Sequence, residues 1–162
     1  MKLYHGSNVE VRQPKILPLV KTSDFGSAFY TTSNFNKALN WSKTKVRRRK
    51  RGNAIVSTYE FDQVGAFQNL QVKKFPEPTE DWLDFVVSQR SGQYRGIKFD
   101  LIIGPVADDQ AITVLDDYMA GMYTKKIALE LLEPQNLVDQ YAFATVKALK
   151  YITCIGVDQY EI

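Results

Sequence analysis

At 162 residues, 44% hydrophobic and 24% charged, the chain has the length and composition of one globular domain spanning residues 1–162. No run approaches the ~18 consecutive apolar residues of a transmembrane helix, and the opening MKLYHGSNVEV lacks the apolar centre of a secretory signal, so a cytoplasmic protein with no membrane partner is expected. The single cysteine, Cys154, excludes an internal disulfide, and with one histidine, His5, no zinc or other metal site is expected.

The first predicted element is a short strand, KLYH (2–5), which carries that histidine. Residues 24–42, DFGSAFYTTSNFNKALNWS, gather small, aromatic and hydroxyl side chains. Within them NFNKALNWSKTK (34–45) can form a helix, with Phe35, Ala38, Leu39 and Trp41 among its less polar positions. The following run, KTKVRRRKR (43–51), is basic at Lys43, Lys45, Arg47, Arg48, Arg49, Lys50 and Arg51, and without it the chain would be acidic. It reads either as a solvated loop or as a phosphate-attracting patch for nucleic acid or another polyanion. No aromatic residue interleaves it to stack on bases.

Strands are expected at AIVSTYEFD (54–62) and AFQNLQV (66–72). PTEDWLDFVVSQR (78–90) reads as a helix, with Thr79 as N-cap and acidic residues complementing the dipole in the first turn. FDLIIGPVADD (99–109) is a buried type of strand ending in a Gly-Pro turn. QAITVLDDYMAGMY (110–123) suits a helix facing the core through Leu115, Tyr118, Met119 and Met122. KKIALELLE (125–133) is a second helix, ended by Pro134. NLVDQYAFAT (136–145) and YITCIGV (151–157) finish the chain as strands. Strands at both ends with helices between predict α+β rather than a doubly wound parallel fold.

No Walker loop, Gly-x-Gly-x-x-Gly or Gly-x-Ser-x-Gly is present. The 24–42 cluster offers something else. Aromatic rings at Tyr30 and Trp41, separated by a turn and a short helix, can face each other across a slot for a flat heteroaromatic ring. Small residues such as Gly26 and Ala28 let backbone amides approach that ring. The alternative is that Phe29, Tyr30 and Trp41 are ordinary core residues.

LYHGS (3–7) followed by FGSAFYTT and then Ala38 and Trp41 resembles the NAD-binding half of ADP-ribosyltransferases of the diphtheria-toxin and poly(ADP-ribose) polymerase type. LVDQYAFAT (137–145) is similar to their C-terminal strand, with Gln140 where polymerases carry glutamate. The whole chain, through WLDFVVSQR and DLIIGPVADD in particular, also looks like a group of small bacterial proteins of the same superfamily, some encoded beside a small antitoxin. The resemblance implies a split β-sheet core of two facing sheets with flanking helices.

It also implies roles. His5 hydrogen-bonds a ribose hydroxyl of NAD, the Gly6 backbone pairs with the nicotinamide carboxamide, and Tyr30 and Trp41 sandwich the nicotinamide. Ser7, Gly26 and Thr32 complete the NAD contacts. His5, Tyr30 and Gln140 form the catalytic set. Gln140 accepts from the ribose 2′-hydroxyl without a charge, so Gln140→Glu is expected to preserve or raise NAD cleavage. Ala28, where a glycine is usual, puts in doubt a positive φ at that point. Asp84, Arg90, Arg47, Arg48 and Arg49, with Asp108 and Asp109, are candidates for the acceptor side. The implied activity is mono-ADP-ribosyl transfer to a protein or nucleic-acid acceptor, with a small antitoxin as partner. Two other readings stay open: an NAD-binding module of the same fold with little or no activity, and a nucleic-acid-binding protein led by residues 43–51.

Overall fold

Lys2–Ser7 form the first strand, β1, two residues longer than the expected KLYH. The computed structural model describes all residues except 18–22, 134–136 and 138, and all their side chains except that of Asp109. β1 pairs antiparallel with β3 (Ala54–Phe61), which pairs antiparallel with β7 (Ile152–Tyr160), giving a three-stranded sheet in the order β1-β3-β7. A second, four-stranded sheet has the order β2-β6-β5-β4. Its members are β2 (Phe29–Thr31), β4 (Val72–Lys74), β5 (Leu101–Pro105) and β6 (Asp139–Phe143). Only the β4–β5 pair is parallel.

Six helices among the described residues complete a mixed α+β architecture. The second sheet is buried on both faces, which explains the unbroken apolar run LIIGP. Leu101, Ile103, Tyr141 and Phe143 turn one way, into a core shared with Leu3, Tyr59 and Phe61 of the first sheet. The two sheets therefore face each other. Ile102 and Ala142 turn the other way, against Trp82, Leu83 and Val86 of α3 (Glu80–Arg90), Leu115 of α4 (Asp109–Met119) and Leu132 of α5 (Lys125–Leu132). Trp82 is fully buried and donates from Nε1 to the Pro105 carbonyl at 2.9 Å, so its polar atom is satisfied.

α1 (Phe35–Arg49) packs on β1 and β3. Asn34 caps its start by accepting from Lys37 N. The basic run is thus not a loop but the end of this helix, through Arg49, with Lys50 in the left-handed conformation as the stop. Lys and Arg are good helix formers and suit the negative end of the dipole, which explains the extension.

Other expectations are corrected. Residues 66–72 hold no single strand: α2 (Gln63–Asn69) is capped by Asp62 accepting from Gly65 N, and β4 starts only at Val72. Ala66 and Leu70, four apart, are the buried residues there, a helical period. Met119 and Met122 are exposed rather than core, because α4 stops at Met119 and a positive-φ Gly121 breaks the phase of the stripe. Thr79 stands at the N-cap of α3 but makes no side-chain cap bond. The C-terminal strands run Asp139–Phe143 and Ile152–Tyr160, joined through α6 (Val146–Leu149). Pro134 lies outside the described residues. No helix of the described residues is long and apolar enough to cross a membrane.

Candidate functional site

The sheets meet at one point and then part. Tyr4 and Thr32 exchange both backbone hydrogen bonds, at 2.8 and 2.9 Å, as an isolated bridge between β1 and β2. Backbone groups alternate in direction along a strand, so Gly6, two residues on, turns its N–H and C=O to the same outer edge. No strand or side chain of the described residues bonds them there. On its other side Gly6 lies under α1. A Cβ at this position would come within 1.8 Å of the Ala38 carbonyl oxygen, so only glycine fits.

His5 stands at the parting. Its Nδ1 lies 2.6 Å from the Tyr30 carbonyl oxygen, and its ring lies 4.4 Å from that of Phe29. A carbonyl only accepts, so Nδ1 carries the proton and Nε2 keeps its lone pair. Burial, helped by the nearby Lys45 ammonium, pushes the imidazole down to about 3. The ring is therefore neutral at physiological pH, an acceptor at Nε2. Tyr30 uses its hydroxyl locally: it accepts from Phe25 N at 3.1 Å and donates to the Gly26 carbonyl at 2.5 Å. Burial raises this phenol above its usual range. Gly26 has φ +82°, and a Cβ there would meet Gln89 Oε1 at 2.6 Å. Ala28 has no positive φ, so its replacement of glycine costs no strain.

Gln140 and Tyr30 project from the same face of the second sheet, since Tyr30 pairs with Ala142 and Gln140 lies two residues along β6. Gln140 is 3% exposed and donates from Nε2 to Asp24 Oδ2 at 3.3 Å. Asp24, absent from the motif reading, is the centre of this network. Its Oδ2 also accepts from Ala107 N at 2.9 Å, and its Oδ1 accepts from Arg90 Nε and Nη2 at 2.9 and 2.6 Å.

Ala107 leads to a cleft of about 550 Å³. One wall is a single face of α1: Lys37, Trp41, Lys45 and Arg48, with Asn40 and Thr44. Ala107, Asp108, Gln110 and Ile112 form the other. Three cations face one carboxylate, and Asp108 is engaged as the α4 cap, accepting from Ala111 N. Burial and then Arg49 lower the Lys45 ammonium to about 8. The cleft can hold an anionic ligand beside the Trp41 indole. Lys45 links it electrostatically to His5, and Ala107 links it by hydrogen bond to Asp24 and so to Gln140.

Other candidates lie elsewhere or are already engaged. Trp41 lines the cleft and Tyr30 does not, its hydroxyl being engaged with Phe25 N and the Gly26 carbonyl. Ser7 is buried on the inward side of β1 with His5. The Thr32 hydroxyl donates to the Asp139 carbonyl and accepts from Asn34 N. The Arg90 side chain is 8% exposed and paired with Asp24. Asp84 lies away from the cleft. It pairs with Lys125 at 2.8 Å and lines a separate shallow pocket beside Phe85. Arg47 and Arg49 are exposed and do not line the cleft, whereas Arg48 does. Lys45 was visible in the sequence only as part of a charge run. Asp24 carried no signal beyond preceding FGS.

No group of three or more His, Cys, Asp or Glu side chains that could hold a metal occurs among the described residues. No curated protein and no solved structure matches the chain. A family model does match, over residues 1–154, and by that match the chain belongs to the family described as "Protein of unknown function (DUF3990)".

Proposed function

We propose that the chain is an NAD-dependent mono-ADP-ribosyltransferase with the split-sheet fold of that superfamily. The observation that carries this reading is the parting of β1 from β2 at Gly6. One residue there offers an unpaired donor and an unpaired acceptor on the same edge, the complement of a primary carboxamide such as that of nicotinamide. Trp41 supplies a stacking face nearby, and Lys37, Lys45 and Arg48 supply charge for a diphosphate. His5 Nε2 accepts from a ribose hydroxyl.

The reaction breaks the nicotinamide–ribose bond through an oxocarbenium-like state. Nicotinamide leaves as a neutral molecule, so no acid is needed to protonate it, and positioning and cation stabilisation supply the rate. Gln140 holds the 2′-hydroxyl without a charge of its own. The missing charge costs on the order of two to three decades in rate, compatible with a slow transferase. The acceptor is protein or nucleic acid, and the biological setting is a cytoplasmic toxin restrained by a small antitoxin. The uncharged Gln140 also favours a second reading, an NAD-binding module with little catalysis.

Incubation with NAD labelled in the ADP-ribose half, with and without cell lysate, separates these. Transfer of label to a lysate component, lost at least tenfold in His5→Ala and Tyr30→Ala, supports the transferase. Saturable NAD binding without transfer leaves the binding module. No binding at millimolar NAD overturns both.

A further inference from the structure

Asp24 is a buried carboxylate whose two oxygens each take two donors: Arg90 Nε and Nη2 on Oδ1, Ala107 N and Gln140 Nε2 on Oδ2. A carboxylate only accepts. Gln140 must therefore present its NH₂ group to Asp24, which turns the amide oxygen Oε1 the opposite way. Oε1 takes no hydrogen bond from the described residues. Arg90 binds Asp24 through Oδ1 alone, so the negative end of the ion pair stands behind the amide.

We propose that Asp24 is a positioning residue, which locks the Gln140 amide so that Oε1 is presented as an acceptor to a hydroxyl of the ligand bound beside it. The identity of that hydroxyl, the ribose 2′-OH, rests on the transferase reading. The orientation does not.

One consequence reverses an expectation from the sequence. Glutamate alone at position 140 would set a second carboxylate about 3.3 Å from the first, and two such charges resist ionising together. A carboxylate at 140 becomes useful only when the charge at 24 is removed. In the double variant Asp24→Asn/Gln140→Glu, the new amide at 24 donates to the new carboxylate at 140 with the direction reversed, while Ala107 N, which shares that atom of residue 24, loses its acceptor.

The test uses the full chain, with nicotinamide release from NAD and the Gln140 side-chain ¹H–¹⁵N signals as readouts. Asp24→Asn is expected to lower kcat at least tenfold with KM within threefold, and to shift the Gln140 amide signals. The double variant is expected to raise kcat at least threefold above Asp24→Asn, short of wild type because Ala107 N has lost its acceptor. A merely structural Asp24 would not be rescued from position 140. Gln140→Glu alone is expected to be at least tenfold slow at pH 6 and to speed up as pH rises, with a midpoint above the ordinary glutamate value of about 4.3. Unchanged kcat or unmoved Gln140 signals in a folded Asp24→Asn variant would overturn the proposal. Where Asp24→Asn fails to fold, the Gln140→Glu profile decides, and a flat profile from pH 5 to 8 overturns it. If wild type neither binds nor cleaves NAD, the transferase reading falls, and the Gln140 signals alone judge the positioning.

Discussion

His5 loses its ability to titrate in the ordinary range because burial disfavours its charged form and the positive charge of Lys45 adds to that. The folded state holds it neutral down to about pH 3, whereas the unfolded chain protonates it near 6.5. Between those values the unfolded state binds the extra proton. Its contribution to stability is therefore complete above pH 6.5 and is lost as pH falls toward 3. From pH 7 to pH 5 this amounts to roughly 1–2 kcal/mol, discounted for the partial exposure of the ring. His5→Gln can still donate to the Tyr30 carbonyl but does not titrate. Denaturant unfolding at the two pH values should show the loss in wild type and a smaller one in His5→Gln. Equal pH dependence in both would mean that the imidazole titrates normally. LYHGS singles out His5 in the sequence, but its tautomer was not legible there, because the Tyr30 carbonyl that selects it is 25 residues away.

α1 divides the basic run by face. Lys37, Trp41, Lys45 and Arg48 follow one another at helical spacing along the cleft wall, while Arg47 and Arg49 point to solvent. The two sets should act on different steps. Lys45→Gln/Arg48→Gln is expected to raise KM for NAD at least tenfold in hydrolysis without acceptor. Arg47→Gln/Arg49→Gln should leave that hydrolysis unchanged. If the acceptor is nucleic acid, this second pair should weaken its modification and reduce the salt slope by about two. Equal effects of both pairs on hydrolysis would show that the run acts as undifferentiated charge. The sequence could count these charges but not sort them, since sorting requires knowing that the helix continues to Arg49.

At the scale of the molecule, the four-stranded sheet belongs to two cores at once. Its Leu101, Ile103 and Phe143 face the first sheet, and its Ile102 and Ala142 face the helices. Neither core can lose its packing without exposing the sheet that the other needs. Thermal unfolding should accordingly be one transition, the same when followed by Trp82 fluorescence in a Trp41→Phe background as by far-UV circular dichroism. Two separated midpoints would show that the layers melt independently. A Trp82→Ala change should lower that common midpoint, since emptying a fully buried tryptophan site costs about 3–5 kcal/mol.

The sequence by itself determined the α+β class, strands β1, β3, β5, β6 and β7, and helices α1, α3, α4 and α5. These follow from periodicity and punctuation within contiguous residues, which any local window contains. AFQNLQV misled as a strand because its apolar residues suit either period, and the Asp62 cap that decides for helix lies outside it. Tertiary structure alone decided the chemistry of the site. Asp24 meets Arg90 across 66 residues and Gln140 across 116, and no local pattern encodes such a meeting. The open edge at Gly6 was equally hidden: it exists because Tyr4 and Thr32 spend both of their backbone bonds on each other, which fixes which way every second amide of β1 must point.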